Sequence, residues 1–507
     1  MSHTIVLGHH NIDKRFSDLT ASEAAVLIQN GQCVACSGFT PAGCVKAVPK
    51  ALGERATLLH QSGENFRIKL LAGASTGDSI DGVLSRANAI ECKIPYQANK
   101  DLRTLINAGH VAYTDLHLSH LCPFIHQGLL GPIHWAIIEV ADYTQEGELL
   151  LTGSVGATPT FCQHAEKIIL EHNTYHPTFI QGLHDIYALP NPPHRRIIPL
   201  ENINDRMGTH VVKVDPQKIV GVVRTCEPDD VSDFKESTPI YQRIGELTAE
   251  FFVQEMKSGR IPSSFLPVQS GVGNIANAVL KTMGEQSKIP PFAMYSEVVQ
   301  NAVIELIQKE SIYFASATAL TVTNVWLQHI YSHWDFYKNK LVLRPEEITN
   351  HPEIIQRIGL LSLNTALEVD CFGHVNSTHV CGNSVMNGIG GSGDFTRNAY
   401  ISVFILSSTA KNGTISGIVP FCSHIDHTEH DVQVIITEQG VADLRGKSPT
   451  QRATCLVENC AHPDYKPLLR DYLRLGQSGH IRHNLSHAFS FHNAFLKTGD
   501  MRLCQFD

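Results

Sequence analysis

The first half of the chain alternates between helical and strand-like patterns of apolar residues. A helical stretch at residues 21–30 is followed by short runs rich in β-branched and apolar residues, which have the length of buried strands. These runs lie at residues 33–37, 68–72, 135–140 and 165–169. Helices that alternate with short buried strands predict an α/β fold with a mainly parallel sheet.

A long amphipathic helix is predicted over residues 239–258. Thr238 is a suitable N-cap, and Pro239 occupies the first helical position, where its missing N–H is tolerated. Apolar residues recur toward one side of this helix at positions 240, 244, 247, 251 and 252. The pattern indicates packing against a core and implies no chemistry.

The two halves of the chain repeat a similar order of segments: an acidic strand end, a glycine-containing loop and a second strand-like run. These segments lie at residues 139–142, 153–156 and 167–171 in the first half and at 368–370, 388–393 and 433–438 in the second. We therefore predict two tandem, similar, open α/β domains with mainly parallel sheets. The predicted division gives residues 1–222 and 223–507, because an irregular stretch precedes the strand that begins at Ile219.

Composition and charge narrow the function to that of a soluble enzyme. The 507 residues are 43% hydrophobic and 18% charged, and the net charge of −9 argues against a nucleic-acid-binding surface. No apolar run approaches the roughly 18 residues of a membrane span, and residues 1–16 lack the apolar segment of a secretory signal. We therefore expect a cytoplasmic protein that binds neither membranes nor nucleic acid.

Two patterns suggest a metal site but are better explained by structure. Cys33 and Cys36 have the spacing of a zinc or redox pair, yet they lie in a strand-like run, where residues three apart point to opposite faces. His424, His427 and His430 share a short segment, but strand-like runs flank it and no second group of ligands is evident. The thirteen cysteines are scattered and odd in number, which indicates reduced thiols. The sequence therefore predicts no metal.

The strongest sign of chemistry is Glu297, which ends the apolar run 290–296 between glycine-rich segments at 269–275 and 387–395. A carboxylate in a dry pocket can attack an activated acyl group if backbone N–H groups stabilise the developing oxyanion. Glycine allows the backbone to approach that closely. The alternative is that Glu297 caps a helix beginning near Val298 and that the glycines form ordinary turns.

The sequence resembles the class I CoA-transferases of the acetyl-CoA hydrolase/transferase family over nearly the whole chain. Six motifs occur in order, each weak alone and specific together: residues 37–43, 269–274, 295–298, 348–353, 388–395 and 437–446. The resemblance implies the CoA-transferase fold and a homodimer. It also implies that coenzyme A is a substrate and that no nucleotide cofactor takes part, because one thioester replaces another.

The resemblance assigns roles to named residues. It implies that Glu297 is the nucleophile and that the backbone N–H groups of Val272 and Gly391 face the oxyanion. The implied contacts to coenzyme A are Gly271, Val272, Gly273, Asn274, Ile275, Asn350, Asn387, Gly391 and Lys411.

The resemblance also implies a pocket for the free acid, formed by Ser75, Arg224 and Glu438. Where the family pattern has a threonine, this chain has Ala98, which leaves the length of the acyl group open. Arg224 has an alternative as an exposed charge paired with a nearby acid, and Glu438 has one as a carboxylate at the start of a helix. Both assignments depend on the family.

The sequence therefore predicts an enzyme that moves CoA between a short acyl-CoA, succinyl-CoA or acetyl-CoA, and a free acid such as acetate. The predicted mechanism is ping-pong through a glutamyl-CoA thioester. Alternatives are an acetyl-CoA hydrolase, in which water resolves the intermediate, and a propionyl-CoA:succinate CoA-transferase. A dinucleotide-binding oxidoreductase, suggested by Gly388, Gly390 and Gly393, lacks the acidic residue expected about 20 positions later. A CoA-binding regulator would have no use for the carboxylate.

Overall fold

The first large sheet is built from the N-terminal half of the chain. The computed structural model describes residues 16–232, 237–476 and 478–506. Eight strands form this sheet: β1 (Ser17–Asp18), β2 (Cys33–Cys36), β3 (Ile68–Leu71), β4 (Ile90–Ile94), β5 (Ala112–Tyr113), β6 (Ile133–Val140), β7 (Ala165–Asn173) and β8 (Ile219–Thr225). Their order is β1-β8-β7-β6-β2-β3-β4-β5, and all neighbours are parallel.

The second large sheet is built from the C-terminal half. Its strands are β9 (Val268–Ser270), β10 (Phe292–Tyr295), β11 (Ile312–Ala317), β12 (Leu341–Leu343), β13 (Leu361–Thr365), β14 (Ile401–Ile405), β15 (Val434–Thr437) and β16 (Gly440–Asp443). The order is β12-β11-β10-β9-β13-β14-β15-β16, with only the β15–β16 pair antiparallel.

The described residues also form seventeen α-helices around the two sheets. They are α1 (Ala21–Leu27), α2 (Ala47–Gln61), α3 (Val83–Arg86), α4 (Lys100–Asn107), α5 (Leu118–His126), α6 (Thr158–His164), α7 (Pro239–Lys257), α8 (Asn274–Glu285), α9 (Asn301–Gln308), α10 (Asn324–Ser332), α11 (Trp334–Tyr337), α12 (Glu346–Thr349), α13 (Pro352–Ile358), α14 (Ser392–Asn398), α15 (Pro449–Cys460), α16 (Lys466–Leu475) and α17 (Ser490–Thr498). Short strands, a π-helical turn at Asp78–Gly82 and several 3₁₀ turns complete the fold. None of the described helices is long and apolar enough to cross a membrane.

The two sheets have the same topology, which confirms the predicted α/β fold with mainly parallel sheets. The order β5-β4-β3-β2-β6-β7-β8 in the first sheet matches β12-β11-β10-β9-β13-β14-β15 in the second. By this order the counterpart of β7 is β14, whereas the segment repeat in the sequence had paired residues 167–171 with 433–438, which contain β15. A loop and a short helix, α6 or α14, precede both β7 and β14.

The strands are buried on both faces, as parallel sheets covered by helices require. Every residue of β6 except His134 is buried, and all four residues of β2 are buried. This explains the continuous apolar runs that predicted these strands. Cys33 and Cys36 lie in β2 as buried free thiols, so their spacing reflects a strand.

The predicted helix over 239–258 is present as α7. The hydroxyl of Thr238 accepts a hydrogen bond from the N–H of Tyr241 at 3.3 Å, and Pro239 is the first helical residue. Ile244 and Phe252 are fully buried, whereas Ile240 is 43% exposed and lies outside the packed face.

The predicted division at residue 222 falls inside β8, which runs from Ile219 to Thr225. We propose that the division between the halves lies after this strand and before α7. The segment between them includes residues outside the described ranges.

Candidate active site

Glu297 lies at the carboxyl end of β10, where the chain leaves the second sheet. Its carbonyl oxygen accepts hydrogen bonds from the N–H groups of Thr318 at 2.9 Å and Ala319 at 3.1 Å. The next two residues form a short strand, Val298–Val299, and α9 begins only at Asn301. The alternative that Glu297 caps a helix near Val298 is therefore wrong.

The Glu297 side chain faces a pocket of about 210 Å³ between the two halves of the chain. Parallel strands gather their carboxyl ends at one edge, which is where α/β proteins place their sites. The lining residues are Phe39, Thr40, Ala74, Tyr96, Leu118, Gly271, Val272, Glu297, Val298, 364–367, Ser377 and 387–392. None of the described residues that line the pocket is a lysine or an arginine.

Two groups hold the Glu297 carboxyl in place. The Nδ2 of Asn350 donates a hydrogen bond to Oε1 at 3.1 Å, and the backbone N–H of Gly391 also donates to the carboxyl. Burial raises the pKa of Glu297 to about 7, with a smaller contribution in the same direction from the charge of Asp394. A carboxylate with this pKa is more basic than a free glutamate, and it is half ionised near neutral pH.

Gly391 is where the chain approaches the carboxyl most closely. A Cβ atom at this position would overlap Oε1 of Glu297 and Nδ2 of Asn350. Its φ of −92° is open to any residue, so the glycine is required by space alone. The glycine-rich segment 387–395 thus reaches the side chain of Glu297 at Gly391.

A second buried carboxyl, Asp394, lies behind Asn350. Nδ2 of Asn350 is 3.3 Å from Oδ2 of Asp394, and the N–H of Ser119 donates to the same oxygen at 3.0 Å. Burial raises the pKa of Asp394 to about 6. Asn350 therefore donates hydrogen bonds to both carboxyls.

Glu346 is a third buried carboxyl near the site, at the start of α12. It is fully buried, its Oε2 has no hydrogen-bond partner, and burial raises its pKa well above the usual value. Its Oε2 lies next to Gly73, whose neighbour Ala74 lines the pocket. Burial therefore disfavours the charged form of Glu346 beside Glu297.

The loop that carries Gly391 is fixed by a residue of the N-terminal half. The carboxyl of Asp115 accepts the N–H of Ile389 at 2.9 and 3.1 Å and the hydroxyl of Tyr113 at 3.0 Å. Burial raises the pKa of Asp115 to about 7. The ring of Tyr96 packs against Gly388 and Gly390.

The sequence analysis missed Asp115, Tyr96 and Glu346. The first two lie after β5 and β4, far from the motifs in sequence, and only the fold brings them to the loop. Asp394 lies inside a recognised motif, but its role as a partner of Asn350 had no signal in the sequence.

The loop 271–275 forms the opposite wall of the pocket. Gly271 and Val272 line it, and Val272 is 48% exposed. Gly273 has a φ of 124°, which favours glycine, and it precedes the first residue of α8, Asn274. Ile275 is half-buried and packs against the main core. The structure thus brings this loop, Gly391 and Glu297 to one pocket.

The two remaining predicted contacts to coenzyme A lie in different places. Asn387 lines the pocket, and its Nδ2 donates to the carbonyl of Ser377 at 3.1 Å. Lys411 lies outside the pocket lining, in a turn where its φ is 46°, with its ammonium 5.1 Å from the ring centre of Phe495.

The three residues predicted to bind the free acid are not brought to the pocket lining. The hydroxyl of Ser75 donates to Asp81 at 3.0 Å. The side chain of Arg224 is 51% exposed and pairs with Asp18 at 3.1 Å. Ala98, where a threonine was expected, is exposed outside the lining.

Glu438 lies in the turn between β15 and β16 and accepts hydrogen bonds from both the N–H and the hydroxyl of Ser408. Its alternative role at the start of a helix is wrong, because residues 440–443 form the strand β16.

The three histidines that suggested a metal each have a different partner. His427 is buried with Nε2 3.2 Å from the Ser392 hydroxyl, whereas His424 pairs with Asp426 and His430 with Glu429. The three do not form one ligand set in the described structure.

Comparisons with known proteins agree over both halves of the chain. Residues 9–224 match the acetyl-CoA hydrolase/transferase N-terminal domain, and residues 327–473 match the corresponding C-terminal domain. The chain is 48% identical to the propanoyl-CoA:succinate CoA transferase of Escherichia coli K12, covering 97% of this chain and 100% of that protein. It is 46% identical to the succinyl-CoA:acetate CoA-transferase of Clostridium kluyveri, covering 96% and 90%.

A solved structure with a similar fold is RipA from Yersinia pestis. It is 21% identical with a TM-score of 0.68, and the match covers 90% of this chain and 96% of that one. The likeness supports the two-sheet architecture.

Proposed function

Since the chain belongs to the acetyl-CoA hydrolase/transferase family, we propose that it transfers coenzyme A between a short acyl-CoA and a free carboxylic acid through a glutamyl-CoA thioester on Glu297. The observation that carries the proposal is the placement of this carboxyl. It lies in a pocket, touches the backbone of Gly391 and has a pKa of about 7.

In the first step a Glu297 carboxylate oxygen attacks the thioester carbonyl of the acyl-CoA. The C–S bond breaks, the CoA thiolate leaves with the electron pair, and a mixed anhydride of Glu297 and the acyl group remains. The thiolate then attacks the Glu297 carbonyl carbon. The first acid leaves as its carboxylate, and Glu297 carries CoA as a thioester.

The second acid reverses these steps. Its carboxylate attacks the glutamyl thioester, the thiolate leaves and then attacks the new acyl carbonyl, and Glu297 is released as a carboxylate. The net change replaces one thioester with another, so no nucleotide is consumed.

Each attack passes through a tetrahedral oxyanion that needs N–H donors. We propose the backbone N–H groups of Val272 and Gly391 for this role, because both residues line the pocket beside Glu297. A single donor of this kind typically contributes about 3 kcal/mol to the barrier. The loop 271–275 and Asn387 then contact coenzyme A.

The walls of the pocket near Glu297 favour a small apolar acyl group. Phe39, Tyr96, Leu118 and Val298 provide apolar surface, and none of the described lining residues carries a cationic side chain. We propose acetyl or propionyl as the group that rests there. Succinyl remains a candidate because the names of both relatives at 46–48% identity include succinate or succinyl-CoA.

The proposal favours transfer over hydrolysis on the strength of those two relatives. Arg224, which the resemblance assigns to the pocket for the free acid, pairs with Asp18 at the surface and gives no support to a carboxylate acceptor. Competition between acetate, propionate, butyrate, succinate and water for a preformed intermediate decides the acceptor.

The mechanism is tested by incubating the protein with acetyl-CoA in the absence of an acceptor acid. Peptide mass spectrometry is expected to find a CoA adduct on the peptide that carries Glu297, and borohydride is expected to reduce it. The Glu310→Gln variant, altered at an exposed glutamate of the same region, retains the adduct. An active enzyme with no modification at Glu297 contradicts the proposal.

The homodimer and the cytoplasmic location expected from the sequence stay predictions. Sedimentation equilibrium tests the first.

A further inference from the structure

Outside the pocket, three side chains of the C-terminal half point ligand atoms at one spot. Asp370, His374 and His483 each offer one atom, and these atoms lie within 4.8 Å of one another. Asp370 and His374 flank a tight turn that follows the strand Glu368–Asp370. His483 comes from the segment after α16, so distant parts of the chain meet here.

The carboxyl of Asp370 is held by the backbone through Oδ1, so that Oδ2 can bind a metal ion. Its Oδ1 accepts the backbone N–H groups of Phe372 at 2.9 Å, Gly373 at 3.0 Å and His374 at 3.1 Å. The other oxygen, Oδ2, is 2.9 Å from Nδ1 of His374. Because the turn saturates Oδ1, the direction of Oδ2 is fixed.

Both imidazoles are oriented by a partner on their far side. Nε2 of His374 lies 2.5 Å from Oε2 of Glu429, and Nδ1 of His483 lies 2.8 Å from the hydroxyl of Tyr472. Nε2 of His483 is buried and has no hydrogen-bond partner. A histidine that donates its second N–H to a carboxylate or another oxygen is the usual arrangement around a protein-bound metal.

A second group of three potential metal ligands, in the N-terminal half, already contains a cation from the protein. Glu139, His176 and Asp229 also converge, but the ammonium of Lys46 lies 2.5 Å from Glu139 and 3.1 Å from Asp229. The lysine occupies the cation position there. Near Asp370, Arg452 uses its Nε and Nη2 to donate to the carbonyls of Phe372 and Val432.

We propose that Asp370 Oδ2, His374 Nδ1 and His483 Nε2 bind one divalent transition-metal ion. Two imidazole nitrogens and a carboxylate oxygen suit Zn²⁺, with a fourth position left for water. Binding displaces the proton shared by Asp370 and His374. The ion joins the C-terminal segment to the turn after Asp370 and takes no part in CoA transfer.

The test measures Zn²⁺ binding to the full-length chain after removal of metals with a chelator. Titration in competition with a chromophoric zinc chelator is expected to show one site per chain that is lost, or weakened at least about a hundredfold, in His483→Ala. The matched control His480→Ala removes an exposed histidine of the same segment and keeps the site. Glu429→Gln is expected to weaken binding about 10- to 100-fold, since it removes the partner of a ligand.

Cobalt substitution distinguishes this site from adventitious binding to the thirteen cysteines. A nitrogen–oxygen ligand set gives weak visible bands and no thiolate-to-cobalt charge-transfer band. If His483→Ala fails to fold, Asp370→Asn serves instead, because its side-chain oxygen can still accept the three N–H groups. Equal Zn²⁺ affinity and stoichiometry in the wild type and these variants, or a thiolate band for the tight site, overturns the proposal.

Discussion

Two groups of buried carboxyls lie at the carboxyl edges of the two sheets, and they differ in their counter-charges. In the N-terminal half, Lys46 bonds to both Glu139 and Asp229, and burial does not prevent it from staying charged, because those carboxylates raise its pKa. Glu297 in the pocket and Asp394 behind Asn350 form no salt bridge with any described residue.

This difference in counter-charge distinguishes carboxyls that stabilise the fold, around Lys46, from a carboxyl that is available to react, Glu297. A buried acid that pairs with a lysine contributes to the stability of the fold, whereas an acid without a cationic partner, such as Glu297, keeps a raised pKa and an oxygen that a substrate can reach. The matching topology sharpens the contrast. Glu297 follows β10, and the counterpart strand β3 is followed by Ala72, Gly73 and Ala74.

The largest effect on activity is expected from removing the carboxylate of Glu297. Glu297→Gln keeps the size of the side chain but removes the nucleophile, so kcat should fall by at least about a thousandfold. Steady-state assays of CoA transfer from acetyl-CoA to propionate measure this. Glu310→Gln should retain the wild-type rate. A Glu297→Gln enzyme with full activity would show that Glu297 is no more reactive than the acids paired with Lys46.

Removing the lysine should damage stability. Lys46→Met leaves Glu139 and Asp229 buried without their cation, and breaking a buried pair in this way costs about 3–5 kcal/mol. Denaturant unfolding measures the loss. The control Lys50→Met changes an exposed lysine on the same helix, α2, and should stay within about 0.5 kcal/mol. Equal stability of the two variants would show that the N-terminal group is not structural.

Crowding the reactive carboxyl should lower activity by an intermediate amount. Gly391→Ala places a methyl group against Glu297 and Asn350, and we expect kcat to fall about a hundredfold, as for loss of an oxyanion donor. Gly271→Ala is the matched variant, since its Cβ would meet only the carbonyl of Leu363 at 3.5 Å. If both alanines have the same effect, close approach at Gly391 is not what the site requires.

The smallest effect concerns pH. The nucleophile is the ionised form, so kcat/KM should fall about tenfold per pH unit as pH drops below the Glu297 pKa of about 7. Stability depends on pH in the opposite direction. Because the pKa of Glu297 is raised, the folded state binds the proton more tightly than the unfolded state does. This stabilisation is lost as the pH rises from the ordinary pKa of 4.5 through about 7. The stability difference between Glu297→Gln and the wild type should therefore grow over this range in favour of the variant. A difference independent of pH would contradict the raised pKa.

The sequence was sufficient for the fold class and for the central pairing of Glu297 with a glycine. Continuous apolar runs predicted strands such as β2 and β6 because burial on both faces removes the polar alternation. Gly391 was named through the family resemblance, and its missing side chain suits the close approach to Glu297.

Residues whose partners lie far away in the chain could not be placed from the sequence. Arg224 was assigned to the acid pocket, but β1 pairs with β8 and supplies Asp18 next to it. Asp115 reaches Ile389 only because the halves meet at their carboxyl edges. A motif specifies the residues near it in sequence, whereas these contacts depend on how separate segments are brought together.

The edges of the two sheets differ in how soon each can be completed during synthesis. β16 follows β15 after a two-residue turn, so the second sheet gains its last strand almost as soon as the previous one has emerged from the ribosome. β1 is made about 200 residues before its partner β8, and closing so long a loop is slow. β1 therefore stays without its partner strand until β8 has been translated.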